Sequence, residues 1–266
     1  MSGNTLAMMA RWAVVPIIFL SMISSAPAQD ISVAAAADLQ FAMQEISSRF
    51  QAETGKRVRL TYGSSGNFAQ QLENGAPFDI FLSANLDYPR RLEQQGLVEP
   101  GTFYVYASGK LAMWVPVSSK LSIDGVRSLL SPSITKIAIA NPQHAPYGQA
   151  AVAAMKHEEV YDRVKDRLVL GENVAQALSF VISGSTDVGL VALSLAVSPA
   201  VRDKGHFIEV PKADYPPIEQ AAVILKASSK KEVARQFLEF LKTPAARKIL
   251  ADSGFEVPAE GAKQPR

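Results

Sequence analysis

Cysteine is absent from the 266 residues, so the chain has no disulfide framework, no thiolate metal site and no thiol to carry a lipid anchor. Histidine is scarce: His144, His157 and His206 are the only three, far apart and without the spacing that metal ligation needs. Net charge is small, +2 for the whole chain, which argues against nucleic acid or an anionic membrane surface as a partner. The longest apolar run, residues 12–23, covers about a dozen residues, too few to cross a bilayer.

With Arg11 before it and Ala26-Pro27-Ala28 after it, that run gives residues 1–28 the layout of a secretory signal peptide cleaved before Gln29. Cleavage removes Arg11 and leaves 26 basic against 25 acidic residues. The expectation is an exported, periplasmic protein of about 238 residues, enough for one large α/β domain or two lobes.

Within it, the stretch ISVAAAADL at residues 31–39 sets the pattern. Residues 33–37 are uninterrupted apolar ones, as in a parallel strand covered on both faces. At Asp38 the period changes, with Leu39, Ala42, Met43, Ile46 and Phe50 at helical spacing, so a helix is expected to start at or just before Asp38, with Asp38 as its N-cap. Small side chains at this junction leave backbone N–H groups bare. Bare N–H groups backed by a helix dipole bind anions without Lys or Arg.

Further along, the same geometry recurs. Residues 57–62 alternate as a strand and run into Gly63-Ser64-Ser65-Gly66-Asn67 and a helix; there Ser65 offers an N–H and a hydroxyl, although Ser64 or Ser65 could equally serve as a helix cap. A buried strand over 76–84 and a short helix over 86–95 follow. Residues 103–107 and 111–115 read as strands about a Ser108-Gly109-Lys110 turn, and 122–130 as a capped helix. After a strand at 134–140, Pro146 suits the first turn of a helix reaching about His157, which puts Tyr147 at an outward-facing N-terminus. A short strand at 168–170 precedes Asn173, the natural N-cap of a helix over 174–182. Strands at 187–192, 207–210 and 221–225 and amphipathic helices at 230–241 and 244–251 complete an alternation that implies parallel sheets with crossover helices. Residues 259–266 are expected to be a C-terminal tail.

Asp38, Ser65, Tyr147 and Val174 thus lie at four strand-to-helix junctions of one character, small or polar and without a basic side chain, at the strand edge where open α/β sheets bind ligands. If they converge, they form a cage of N–H and O–H donors for a small tetrahedral oxyanion. Every α/β chain has such junctions, so convergence does not follow from these residues alone.

Five blocks in order carry a resemblance: VAAAADLQFAMQEI at 33–46, YGSSGNFAQQLENGAPFDIFLSA at 62–84, ANPQHAPYGQAA at 140–151, GENVAQAL at 171–178 and DVGLVALS at 187–194. They are similar to the periplasmic molybdate-binding proteins of ABC transporters, over nearly all of the chain after residue 28. The resemblance implies an α/β periplasmic-binding-protein fold of two lobes, each a mostly parallel sheet flanked by helices. Lobe I would be roughly residues 30–107 with 207–258, lobe II roughly 108–206, and the ligand would lie in the cleft between them. It also implies a monomeric receptor, not an enzyme and without a cofactor, that closes on molybdate or tungstate and delivers the ion to a membrane permease. The family's ligand positions fall on Asp38, Ser65, Tyr147 and Val174, as contacts to the oxyanion's oxygens rather than direct ligands to the metal. Ala37, Ser64, Asn173 and Ala192 are expected around them.

Two positions depart from the family's commonest pattern. Where many members carry a Ser, this chain carries Asp38, whose carboxylate repels a dianion unless one of the two holds a proton. Either its backbone N–H alone meets the ligand, or its side chain accepts a proton from the ligand or a neighbour. Where some members add a Tyr hydroxyl the chain has Ala192, and Tyr147 is placed to restore that donor from the opposite side. Two alternatives stay open: the same architecture binding a protonated oxyanion such as phosphate with Asp38 as acceptor, and a secreted hydrolase using Ser65. Against the second, G-S-S-G-N is not the G-x-S-x-G elbow and lacks a Walker-loop ending. The pairs Glu158-Glu159 and Lys230-Lys231 read as solvated helix surface.

Overall fold

The computed structural model describes residues 30–259 and Gly261. The expected signal peptide, the cleavage point at Gln29 and most of the expected tail, residues 260 and 262–266, lie outside the described residues. In chain order the strands are β1 (Ile31–Ala36), β2 (Val58–Gly63), β3 (Ile80–Ser83), β4 (Tyr104–Gly109), β5 (Leu111–Pro116), β6 (Ile137–Ala140), β7 (Leu168–Gly171), β8 (Val188–Ala192), β9 (Gly205–Glu209) and β10 (Ile218–Ile224). The helices are α1 (Gln40–Thr54), α2 (Ser65–Glu73), α3 (Asp87–Gln94), α4 (Pro146–His157), α5 (Tyr161–Val164), α6 (Val174–Ile182), α7 (Leu193–Ala196), α8 (Lys231–Leu241) and α9 (Pro244–Asp252).

Two five-stranded sheets result, ordered β2-β1-β3-β10-β4 and β7-β6-β8-β5-β9. In the first, β1 lies parallel to β2 and β3 while β10 runs antiparallel between β3 and β4. The second repeats this plan: β6 is parallel to β7 and β8, and β5 runs antiparallel between β8 and β9. Each reversed strand is the one that arrives from the other sheet. The chain crosses twice, at Lys110 between β4 and β5, and over residues 210–217 between β9 and β10.

Burial explains why β1 reads as one apolar run. Its successive side chains point to opposite faces, and both faces are covered. Val33 and Ala35 join Ile80, Leu82, Met43, Ile46, Phe50 and Phe237 in one core, whereas Ala34 joins Phe81, Phe68, Ala69, Leu72 and Leu92 in another. Phe50 of α1 meets Phe237 and Phe240 of α8 edge-on, with ring centroids 5.1 and 5.5 Å apart, which locks α8 against α1.

Several expectations need correction. Ser108 and Gly109 belong to β4 and pair with β10, and Phe207 to Glu209 belong to β9 and pair with β5. Sheet membership therefore places the two crossings between sheets at Lys110 and at 210–217. The strands β4 and β5 flank the expected Ser108-Gly109-Lys110 turn and sit in different sheets; the apolar pattern specifies each strand and not its neighbour. The helix expected over 122–130 shrinks to a 3-10 turn, Val126–Leu130. There Ser128 Oγ donates to Asp124 Oδ1 at 2.5 Å and accepts from the Asp124 N–H at 3.1 Å, local bonds that compete with helix formation.

Gly205 opens β9 against the buried Trp114. A Cβ there would collide with the Trp114 indole and the Val115 carbonyl oxygen. Gly205→Ala is expected to destabilise the fold by about 2 kcal/mol through overpacking, read as a lowered urea midpoint by far-UV circular dichroism; an unchanged midpoint would contradict this packing.

Candidate functional site

The C-terminal ends of β1, β2 and β3 meet those of β6 and β7 around a small cavity of about 10 Å³. From the first sheet, Ala37 and Asp38, Ser64 and Ser65, and Ala84 line it; from the second, Pro146 and Tyr147, and Asn173 and Val174. Its wall contains no Lys or Arg. A larger groove, about 720 Å³, lies at the opposite edge of the first sheet beside Arg59, Phe78 and Lys230, where the parallel strands begin and basic side chains line the wall.

Three helices begin at the small cavity. Ser65 is the first residue of α2, Tyr147 the second of α4 and Val174 the first of α6, positions whose N–H groups have no acceptor within the helix. Local sequence brings this about. Ser64 caps α2 in extended conformation, its Oγ accepting from the Asn67 N–H at 3.4 Å. Asn173 caps α6, its Oδ1 accepting from the N–H groups of Ala175 and Gln176 at 3.0 Å each, which leaves the Val174 N–H uncapped. Pro146 starts α4 and has no N–H of its own. Ser65 Oγ accepts from the Ala84 N–H at 2.9 Å, so its own proton is free to be donated.

Asp38 is not an N-cap. It sits inside a 3-10 turn, Ala37–Leu39, that precedes α1 and has no side-chain cap. Its carboxyl is buried: Oδ2 accepts from the Tyr147 hydroxyl at 3.0 Å and from Gln220 Nε2 at 2.5 Å, while Oδ1 has no hydrogen-bond partner. Gln220 Oε1 in turn accepts from the Tyr106 hydroxyl at 2.8 Å, and Ser194 Oγ donates to the Asp38 carbonyl at 2.8 Å. The Tyr147 side chain is likewise buried rather than facing outward. Its hydroxyl is committed to Asp38, so the donor it turns towards the cavity is a backbone one. Ala192 is buried at the end of β8 beside Leu111 and is not in the cavity wall.

Burial dominates the electrostatics. It raises the Asp38 carboxyl to about 6, against the opposing pull of the hydrogen bonds from Gln220 and Tyr147. The hydroxyls of Tyr147 and Tyr106 are pushed well above their ordinary value, first by burial and then by the neighbouring Asp38 charge, so both stay protonated donors.

Sequence reasoning missed Gln220 and Tyr106, which stand on β10 and β4 and hold Asp38 from below. The available signal was Gln220 itself, a polar side chain at the edge of the apolar run 221–225. His144 joins the two halves: its carbonyl accepts from the Gly66 N–H at 2.9 Å and its Nδ1 lies 2.8 Å from Ser64 Oγ. Elsewhere, His157, Glu158 and Asp214 offer atoms within 4.8 Å of one another, but Arg127 stands 3.8 Å from Glu158 and makes the group an ion-pair cluster.

With this geometry in hand, comparison with known proteins is informative. The family described as bacterial extracellular solute-binding protein matches residues 31–256. The molybdate-binding protein of Rhodobacter capsulatus is 36% identical over 230 residues, 86% of this chain and 89% of that one. The solved periplasmic molybdate-binding protein of Azotobacter vinelandii superposes with a TM-score of 0.81 at 35% identity, covering 86% of this chain and 99% of that one. Fold alone is shared with the sulfate-binding protein of Mycobacterium tuberculosis, at 19% identity and a TM-score of 0.75 over 88% of each chain.

Asp38 gives the ligand-free fold a pH dependence of definite sign. The folded carboxyl, at about 6, binds its proton more tightly than an unfolded one near 4, so the Asp38 contribution is fully present below about pH 4 and is lost as the pH rises through about 6. Asp38→Asn keeps an oxygen acceptor for Tyr147 and Gln220 and cannot ionise. Its stability relative to the parent is expected to fall by about 2 kcal/mol between about pH 8 and about pH 4, measured by urea unfolding of both proteins. A constant difference would contradict a buried, titrating Asp38.

Proposed function

The chain belongs to the bacterial extracellular solute-binding proteins, and from that membership we propose that it is the periplasmic receptor of an ABC importer, binding molybdate, and tungstate with it, between its two sheets. The observation that carries the reading is a small cavity ringed by helix N-termini from both halves and free of Lys and Arg. The relatives named above, whose printed function is molybdate binding, support the choice of ion. Ser65 supplies an N–H and a hydroxyl, Tyr147 and Val174 supply N–H groups, and Asp38 closes the wall. These donors are held in place before the ion arrives, so little reorganisation opposes binding. Sulfate, being smaller, cannot reach all of them at once.

Binding is non-covalent and without turnover. The two lobes move about the crossings at Lys110 and 210–217, and the closed form is held by bonds from His144 to Ser64 and Gly66 across the cleft. Gly66 makes that approach possible, since a Cβ there would lie 2.6 Å from the His144 carbonyl oxygen. The closed monomer then presents both lobes to a membrane permease. A hydrolase reading has less support: the hydrogen bond to Ser65 Oγ comes from a backbone N–H, and His144 engages Ser64 instead.

Calorimetric titration of the protein from residue 29 onwards with molybdate, tungstate, sulfate and phosphate tests this. One molybdate or tungstate per chain is expected, with sulfate and phosphate at least about tenfold weaker, and Ser65→Ala is expected to weaken molybdate by about tenfold, the worth of one or two hydrogen bonds. Phosphate binding more tightly than molybdate would overturn the choice of ion. Ester hydrolysis abolished by Ser65→Ala would overturn the receptor reading.

A further inference from the structure

Asp38 is the one carboxyl in a cavity suited to an anion. Hydrogen bonding around it is lopsided. Two donors, the Tyr147 hydroxyl and Gln220 Nε2, converge on Oδ2, whereas Oδ1 is buried and has no partner. The Gln220 amide is oriented by the Tyr106 hydroxyl, which donates to Oε1 and so turns Nε2 towards Asp38. With Oδ2 saturated by donors, Oδ1 is where a proton on this carboxyl belongs.

Among the described residues no cation faces the group. Packed around it are Tyr147 from α4 and Tyr106 from β4, with Tyr215 behind Tyr147, and burial pushes the hydroxyls of all three upward. Lys110, next along the chain to the Gly109 that packs on Tyr147, is drawn to Glu209 and Glu256 at 3.5 and 3.9 Å. His144 lies at the cleft and is bonded to Ser64. An ionised Asp38 would therefore confront a dianion in a small cavity with no cationic side chain to offset either charge.

We infer that Asp38 holds the oxyanion as a neutral carboxylic acid, donating an O–H from Oδ1 to one of its oxygens, so that capture of each dianion is coupled to uptake of one proton. This rests on the oxyanion reading above and adds how the site tolerates an acid where an uncharged donor is expected. The proton comes from solvent and adds to Oδ1; no bond to the bound ion is made or broken beyond the hydrogen bond. By linkage, the dianion raises the affinity of Asp38 for its proton as much as the proton raises the affinity of the site for the dianion. With Oδ2 taken by Tyr147 and Gln220, a protonated Asp38 offers the hydroxyl of hydrogen phosphate only its own hydroxyl oxygen, a poor acceptor, which favours fully deprotonated ions.

The test is molybdate affinity of the wild-type protein and of Asp38→Asn across about pH 6.5 to 8.5, where molybdate stays a dianion, with proton uptake measured calorimetrically in two buffers of different ionisation heat. Wild-type affinity is expected to fall by about 30-fold or more across that range, with about one proton taken up per ion near the alkaline end. Asp38→Asn, which carries a permanent N–H donor, is expected to change by less than about threefold and to take up almost none. A flat wild-type profile without proton uptake overturns the inference and leaves the molybdate reading standing, and needs no variant. A slope retained in Asp38→Asn also overturns it, pointing to another titrating group. Absence of molybdate binding by wild type at every pH overturns the reading beneath it.

Discussion

A dehydrated dianion is held in a cavity without Lys or Arg chiefly by N–H groups that have no other partner, and the fold is arranged to leave such groups at one place. Each is the first-turn N–H of a helix that follows a parallel strand, so its direction is set by a helix axis rather than by a flexible side chain. The chain makes this possible with small residues: Ala36 at the end of β1 and Ala37 just after it, Gly63 at the end of β2, Gly171 at the end of β7. A Cβ at Gly171 would lie 2.7 Å from the Ala177 backbone nitrogen, so only glycine lets α6 start this close to its strand.

Beneath the donors, Asp38 links the two halves of the molecule. It belongs to the first half of the molecule, Tyr147 to the second, and Gln220 to β10, the strand that returns across the second crossing. Gly109, just before the first crossing, packs on the Tyr147 hydroxyl, and a Cβ there would collide with it and approach Gln220 Nε2 at 2.9 Å. The buried carboxyl thus ties cavity wall and both crossings into one hydrogen-bonded unit, and its charge state is felt by all of them. An uncharged residue at position 38 would bind the same partners without that sensitivity.

Much of this was legible in the sequence because it depends on local chemistry. The β1 run, the Pro146 start of α4 and the Asn173 cap of α6 follow from backbone rules that operate within a few residues, and the structure has each of them. What the sequence hid was long-range. The pairing of β5 with β8 and β9 rather than with β4 is decided by the crossing of the chain between sheets, which no alternation of apolar residues encodes. The true partners of Asp38, at positions 147 and 220, are 109 and 182 residues away, and a tyrosine at a helix start gives no sign that its hydroxyl turns inward.

The most direct measurement is a crystal structure of the protein with molybdate bound. The predicted result is one ion in the cavity between the sheets, its oxygens about 3 Å from the N–H groups of Ser65, Tyr147 and Val174, with no Lys or Arg side chain touching it. An ion held instead by basic side chains, or seated in the groove beside Arg59 and Lys230, would contradict recognition by uncharged donors.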